Sequence, residues 1–402
     1  MKQKKIMILG GGKNQIPLIK AAKKLEYHVV VCDERKDVQG KQFCDKFINI
    51  NYMDKELVLQ AAVKEKIDGI ISNSEPAMLV VAYVSETLNL VGNSTSSIQK
   101  LLSKEKFRNL QKEAGVFAPS YKGVETAEEL IEAVGKMSFP IIIKPAESSG
   151  SRGTTRLDNF DEEKILEAFE KCRNFSRNNR VTAEEFVKMD SLIVNEADIF
   201  VLGNEILWDG IMSTGRAAET PMLPMTTNFP ARISEENLYK LEKTVEKILK
   251  QANITHGIYN VESYFTEDQV FVIEINPRQG GNFIPKLIQE HTGIDMYKLL
   301  VSTSVNDLSY YNSLNSYKRK NSYITLQMVF AKQEGAYKGL YIDQEISDYV
   351  QWTQELYQYN DFIEKGENAS NVVAYVDLKF GTYEEQTFFI RNIEKYIYAI
   401  VQ

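Results

Sequence analysis

The sequence predicts an α/β domain followed by α+β parts, and three observations carry that expectation. Apolar strand-like runs alternate with amphipathic helical stretches over 4–92, as in a parallel sheet with crossover helices. The run Phe139-Pro140-Ile141-Ile142-Ile143-Lys144-Pro145 reads as a buried strand that ends on a lysine and opens into a Ser/Gly-rich segment. Residues 256–282, HGIYNVESYFTEDQVFVIEINPRQGGN, alternate at period two around a Thr266-Glu267-Asp268 turn signal, as a β-hairpin does.

The chain has 402 residues, enough for two or three packed units. Its 43% hydrophobic and 26% charged residues are ordinary for a soluble globular protein. A net charge of −7 argues against a nucleic-acid partner held by bulk electrostatics. No apolar run approaches the ~20 residues a bilayer span needs, so no membrane partner is expected. The N-terminal MKQKKIMILGGG reads as a first strand and not as a signal peptide. Cys32, Cys44 and Cys172 form no CxxC pair, which suggests a reducing compartment, the cytoplasm. His28, His256 and His291 stand far apart and give little support to zinc or histidine-based catalysis.

In the first 92 residues, Lys5–Leu9 is the opening strand and Gly10-Gly11-Gly12 its turn. A helix follows from about Gln15, with Pro17 in its first turn. Strands are expected at His28–Cys32, 47–50 and 67–72, and helices after the N-cap Asp54 and over 76–88. A dinucleotide fingerprint would want glycine where Gln15 stands, so the glycines are read as close strand–helix packing. A small-molecule pocket at the strand ends, near Gly10–Lys13, Asp33 and Ser74-Glu75, fits better.

The polar stretch 93–99 marks a boundary, and one helix is expected from about Ser97 to Ala114, stopped by Gly115 and Pro119. Further helices are expected near 126–137 and 161–173, and strands at 181–187 and 192–202. Residues 213–232 contain Pro221, Pro224 and Pro230 and read as an irregular active-site loop. An amphipathic helix carrying Leu238, Leu241, Val245, Ile248, Leu249 and Ala252 leads into the hairpin. Helices to about His291 and over 295–304 come next, and 305–321 is a second boundary. The last part is read as strands at 322–331, 337–342 and 371–380 and a terminal helix from about Glu384.

Two elements carry chemistry. In the hairpin, antiparallel pairing sets Glu262 beside Glu274, and period two puts Glu274, Asn276 and Arg278 on one face. Two acids and an amide oxygen make a hard-cation site, suited to Mg²⁺ beside phosphates. The bland alternative is a solvated strand face. The second element is Glu147-Ser148-Ser149-Gly150-Ser151-Arg152-Gly153-Thr154, whose small residues let backbone N–H groups surround an anion, with Lys144 adding a charge. It is not a Walker A loop, because the lysine precedes it.

This set, in this order and over almost the whole chain, resembles the ATP-grasp superfamily. The resemblance implies an N-terminal Rossmann-like pre-grasp domain (1–95), a two-part ATP-grasp core (96–305) with a mobile lid (about 116–188), and a small C-terminal α+β subdomain (306–402). It implies ATP at Lys104, Lys144, Ser148, Ser149, Gly150, Ser151 and Gly153, with adenine on the backbone of Glu184, Glu185, Phe186 and Val187. Ser103 replaces the aspartate usual before the first lysine, and Ser191 replaces the usual ribose glutamate, so Asp190 or Glu196 takes that role. Glu262, Glu274 and Asn276 match the ligands of two Mg²⁺ ions, with Mn²⁺ able to substitute. Arg278 and Lys144 match the catalytic cations. Arg216, Arg278 and Asn282 are the candidate substrate contacts.

Within the superfamily the layout is similar to the biotin-carboxylase-like branch and, through NPRQGGNFIPKLIQEHTGIDM, to carboxylate–amine ligases that join amino acids. True biotin carboxylases carry a glutamate at the place of Asn282. The implied activity is ADP-forming ligation of a carboxylate and an amine through an acylphosphate; the sequence leaves the oligomeric state open, with a homodimer as one option. Rival readings are a bicarbonate- or phosphoribosylamine-using enzyme of carboxylation or purine type, and a nucleotide-binding regulatory protein without turnover.

Overall fold

A computed structural model describes residues 3–146, 153–176, 178–216, 223–267 and 269–402. The first 92 residues form a parallel sheet in the order Lys46–Ile48, His28–Cys32, Lys5–Leu9, Gly69–Ile71. Its apolar strands are buried because helices cover them; Ile6, Met7, Val30 and Val31 are fully enclosed. The glycine turn serves packing. Gly10 has φ +87, and a Cβ at Gly11 would meet Val38 Cγ2 at 2.6 Å. Gln15 turns its amide to Asn73 Oδ1 at 2.7 Å.

A small antiparallel sheet follows, ordered Tyr121–Val124, Val181–Glu185, Ile141–Pro145, Thr155–Leu157. The Ala127–Val134 and Glu162–Phe175 helices close its core through Leu130, Val134, Ile165 and Phe169.

The main body is an eight-stranded antiparallel sheet. Its order is Val270–Asn276, His256–Phe265, Ile193–Leu202, Glu205–Arg216, Pro224–Phe229, Tyr323–Phe330, Val372–Phe380, Val350–Glu355. On one face the Glu235–Gln251 helix buries Leu241, Val245, Ile248 and Leu249, the stripe its periodicity predicted. On the other lie the Ile284–Thr292 and Met296–Ser304 helices, joined in one core with Ile19 and Ala22 of the first domain. A three-stranded sheet, Phe362–Ile363, Gly335–Ile342, Ile397–Val401, completes the chain.

Four sequence expectations need correction. The helix expected over Ser97 to Ala114 is two helices, Thr95–Leu102 and Lys104–Glu113. Ser103 is extended (φ −95, ψ 120) and caps the second with its hydroxyl, which accepts from the Lys106 N–H. Much of the loop expected over 213–232 is strand, because Pro224 stands at the first position of its strand, where proline is tolerated, and Pro230 falls after its end. The C-terminal part supplies three strands to the main sheet, among them Val350–Glu355, whose polar exposed sequence hides its period. The chain ends on the Ile397–Val401 strand; the helix expected at its terminus, Tyr383–Ile390, lies before it.

Candidate active site

The hairpin forms as its alternation required. His256–Phe265 pairs with Val270–Asn276, with Glu262 opposite Glu274 and Asn260 opposite Asn276. Arg278 lies past the strand end, and its face is not set by strand period. Its N–H turns back to the Asn276 carbonyl (2.8 Å), while its own carbonyl accepts from the Asn260 N–H (3.0 Å).

A third strand extends this site. Ile193–Leu202 pairs on the other side of the hairpin, setting Glu196 opposite Glu262 and Asp198 opposite Asn260. Two rows therefore cross three strands on one face: Glu196, Glu262, Glu274, and behind them Asp198, Asn260, Asn276. Glu196 thus stands among the carboxylates of the hairpin. Arg216, at the end of its strand, approaches Glu196 at 3.9 Å.

The crowding shows in the proton affinities. Glu262 is pushed up to about 8 by burial and by its neighbours Glu274 and Glu196, against the pull of Arg216 and Arg278. Glu196 is raised by burial, against Arg216. Asp198 is raised to about 7 by burial, although the Gly280 N–H and the Asn260 amide oppose it. Burial and crowding thus disfavour the ionised forms of Glu196, Glu262 and Asp198, and a divalent cation, which oxygen donors of this kind fit, would offset that cost. Among the described residues no three His, Cys, Asp or Glu side chains form a metal set by themselves. Asn276 and ligand oxygens would have to complete it. Asn276 Nδ2 currently donates to Glu274 Oε1 at 2.7 Å.

Lys104 and Arg278 act on this row, and Lys144 is held on Glu184. Lys104 begins the second helix of the pair, and burial lowers its proton affinity against the attraction of Glu274, Glu75 and Glu184. Lys144, at the end of its strand, donates to Glu184 Oε1 at 2.8 Å. Arg108 holds the other side of Glu184, with Nε–Oε2 at 2.8 Å and Nη2–Oε1 at 3.3 Å. Burial drives Lys144 down to about 8, with Arg108 adding to the effect and Glu184 resisting it. Burial would raise Glu184, but Lys144 and then Arg108 overcome it and hold the carboxyl down at about 2. Arg278 reaches Glu75 of the first domain (3.4 Å) and its own neighbour, the Gln279 carbonyl (2.9 Å). Ser74-Glu75, noted in the sequence as a strand-end feature, therefore borders this site.

In the linker, Glu184 contributes a buried side chain besides its backbone. The Glu185 and Phe186 N–H groups are committed to the Ser120 and Pro140 carbonyls, at 3.0 and 2.8 Å. The Val187 carbonyl accepts from the Tyr264 hydroxyl at 2.6 Å. Arg156 lies 4.4 Å over the Phe186 ring. Asp190 is exposed, its N–H bonded to the Phe265 carbonyl. Ser148, Ser149, Gly150 and Ser151 lie outside the described residues. Gly153 is described: φ is +77, and a Cβ there would press on Phe175 and Pro145 at 3.0 and 3.1 Å. Asn282 is left-handed (φ 46) and its Oδ1 accepts from the Tyr375 hydroxyl at 3.1 Å, so it faces the C-terminal strands.

Sequence reading missed Arg108, Asp198 and the place of Glu196. Arg108 had a signal: Lys104, Arg108 and Gln111 share a helix face at i, i+4 and i+7. Asp198 and Glu196 had only a period-two relation to each other, and their link to the hairpin is a matter of long-range register.

Residues 137–286 match the ATP-grasp domain, and residues 19–92 match the ATP-grasp N-terminal domain. The chain belongs to the ATP-grasp superfamily. This ATP-grasp chain is 27% identical over 273 residues to an uncharacterized protein, y4rH, of Sinorhizobium fredii, an alignment covering 67% of the chain and 54% of that relative. It is 23% identical over 328 residues to the carbamoyl phosphate synthase large chain of Thermotoga neapolitana, covering 76% of the chain and 29% of the relative. The chain thus spans little more than half of the first relative and under a third of the second. In three dimensions it is similar to an L-amino acid ligase from Bacillus licheniformis, with a TM-score of 0.81, 19% identity and full coverage of both chains. No described helix is long and apolar enough to cross a membrane.

Proposed function

We propose that this protein is an ATP-dependent carboxylate–amine ligase that works through an acylphosphate, with an amino acid as one substrate. The observation that carries this reading is the meeting of two charge sets: the carboxylate row Glu196, Glu262, Glu274 with Lys104 and Arg278 beside it, and Lys144 held on Glu184 in the field of Lys104. Phosphoryl transfer needs positioning and charge neutralisation more than covalent help, and these groups supply both.

Glu262, Glu274 and Asn276 would hold Mg²⁺, which when bound supplies charge neutralisation on the phosphate oxygens. Lys104 and Lys144 would bind α- and β-phosphate oxygens, with Lys144 exchanging its contact to Glu184 for one to the nucleotide. Arg278 would take the γ-phosphoryl, where its planar fork meets two oxygens at once. A substrate carboxylate oxygen attacks the γ-phosphorus, and the bond to the ADP oxygen breaks. The amine nitrogen then attacks the acyl carbon, phosphate leaves, and the amine gives up a proton. Arg216, Arg278 and Asn282 are the proposed contacts for the substrate carboxylate. The free thiols of Cys32, Cys44 and Cys172 suit the cytoplasm. A homodimer is the assembly proposed.

Hydroxylamine trapping tests the intermediate. With ATP, Mg²⁺ and the right acid, a hydroxamate of that acid should accumulate; ADP release without any hydroxamate would speak against an acylphosphate. The similarity to a carbamoyl phosphate synthase chain favours a second reading, in which bicarbonate or a phosphoribosylamine is used. Bicarbonate-dependent ADP release would select it.

A further inference from the structure

Asp198 is buried, with no measurable exposure, behind the carboxylate row. Arg278 attracts it electrostatically, and Asp198 also grips the backbone that follows this arginine. Both carboxylate oxygens accept from the Gly280 N–H at 2.9 Å. Oδ1 also accepts from Asn260 Nδ2 at 3.0 Å. The Asn260 backbone N–H in turn donates to the Arg278 carbonyl at 3.0 Å. The two anchored points, the Arg278 carbonyl and the Gly280 amide, bracket Gln279 and fix the backbone that leaves Arg278, and both lead back to Asp198.

The packing leaves this anchor little play. A Cβ at Gly280 would meet Ile284 Cδ1 at 2.7 Å, Asn260 Nδ2 at 2.9 Å and Asp198 Oδ1 at 3.0 Å. One residue further, a Cβ at Gly281 would meet nothing within 4 Å. The chain is thus clamped at Gly280 and then opens into free space. The Arg278 guanidinium is held by the Gln279 carbonyl and Glu75, so its direction depends on how the 278–280 backbone lies. Arginine forks act only where their geometry matches the phosphoryl oxygens.

We infer that Asp198 is a positioning residue: by clamping Gly280 and Asn260 it aims Arg278 at the terminal phosphoryl group of the nucleotide. This rests on the ligase reading for the role of Arg278. It predicts a selective loss, confined to the third phosphate. A residue that only holds the fold together would weaken ATP and ADP alike.

The test is equilibrium binding of MgATP and MgADP, compared as a ratio, to wild type, Asp198→Asn, Gly280→Ala and Arg278→Ala. Asp198→Asn keeps the shape while weakening the acceptor, and Gly280→Ala pushes on the same clamp from the other side. Both should lose about tenfold in ATP affinity with ADP affinity within twofold of wild type, the size expected for one weakened charge-assisted bond. Arg278→Ala should show the same selective loss. If Asp198→Asn and Gly280→Ala keep the wild-type ratio, or lose ATP and ADP together, the positioning role is wrong. If Arg278→Ala itself keeps the ratio, the γ-phosphoryl role of the arginine falls instead, and with it that part of the ligase reading.

Discussion

Arg108→Met removes the cation on which the interior of the site depends most. The guanidinium is 1% exposed and bonds Glu184, Gln111 and the Ile273 carbonyl, at 2.8, 2.7 and 3.0 Å. The Glu184 carboxyl falls from 4.5 to about 2, driven down by Lys144 and Arg108 against burial. A shift of that size corresponds to roughly 3 kcal/mol at neutral pH, of which Arg108 supplies on the order of half. Leaving buried Glu184 with Lys144 as its one cation, and removing the donor to the Ile273 carbonyl, raises the total to about 3–5 kcal/mol, the range for breaking a buried pair. The sign with pH follows from the depressed value. The Glu184 contribution is complete above the unfolded value of 4.5 and is lost as pH falls toward about 2. Urea unfolding of wild type and variant should therefore show a gap of about 3–5 kcal/mol at pH 7 that narrows by about 1 kcal/mol between pH 5 and pH 3. A gap below about 1 kcal/mol at pH 7, or one that does not move with pH, would refute the reasoning.

Two further variants probe the proposed metal and phosphate contacts. Glu274→Gln should cut ATP-dependent ADP formation at least ~100-fold. Its unfolding free energy should match or exceed wild type, because it relieves the repulsion that raises Glu262; unchanged turnover would remove Glu274 from the metal site. Lys144→Ala should raise the KM for ATP by roughly tenfold or more, as loss of one charged phosphate contact does. A nucleotide affinity equal to wild type in that variant would show that Lys144 serves only Glu184.

Local pattern made much of this molecule legible. Tyr259, Val261 and Ser263 alternate with Asn260, Glu262 and Tyr264, so the hairpin and its Glu262–Glu274 pair could be read from residues alone. Lys144 was legible because it ends an apolar run. What was hidden is set by distance or by competing signals. Glu196 joins Glu262 through a strand register that spans more than sixty residues of chain. The break between Leu102 and Lys104 is made by one serine hydroxyl inside an otherwise continuous amphipathic pattern. Prolines near 221–230 masked two strands of the main sheet, and Arg278 was assigned a strand face that ends at Asn276. Arg108 shares a helix face with Lys104 and Gln111, but its partner Glu184 stands 76 residues away and is brought beside it only by the fold.

The most direct measurement is ADP release from ATP and Mg²⁺, screened over amino acids singly and in pairs with mass detection of products. The account predicts at least one acid–amine pair that raises ADP release well above background and yields a product lighter by one water than the sum of the two. No ADP above background with any pair, under conditions where MgATP demonstrably binds, would contradict it and leave a nucleotide-binding protein without turnover.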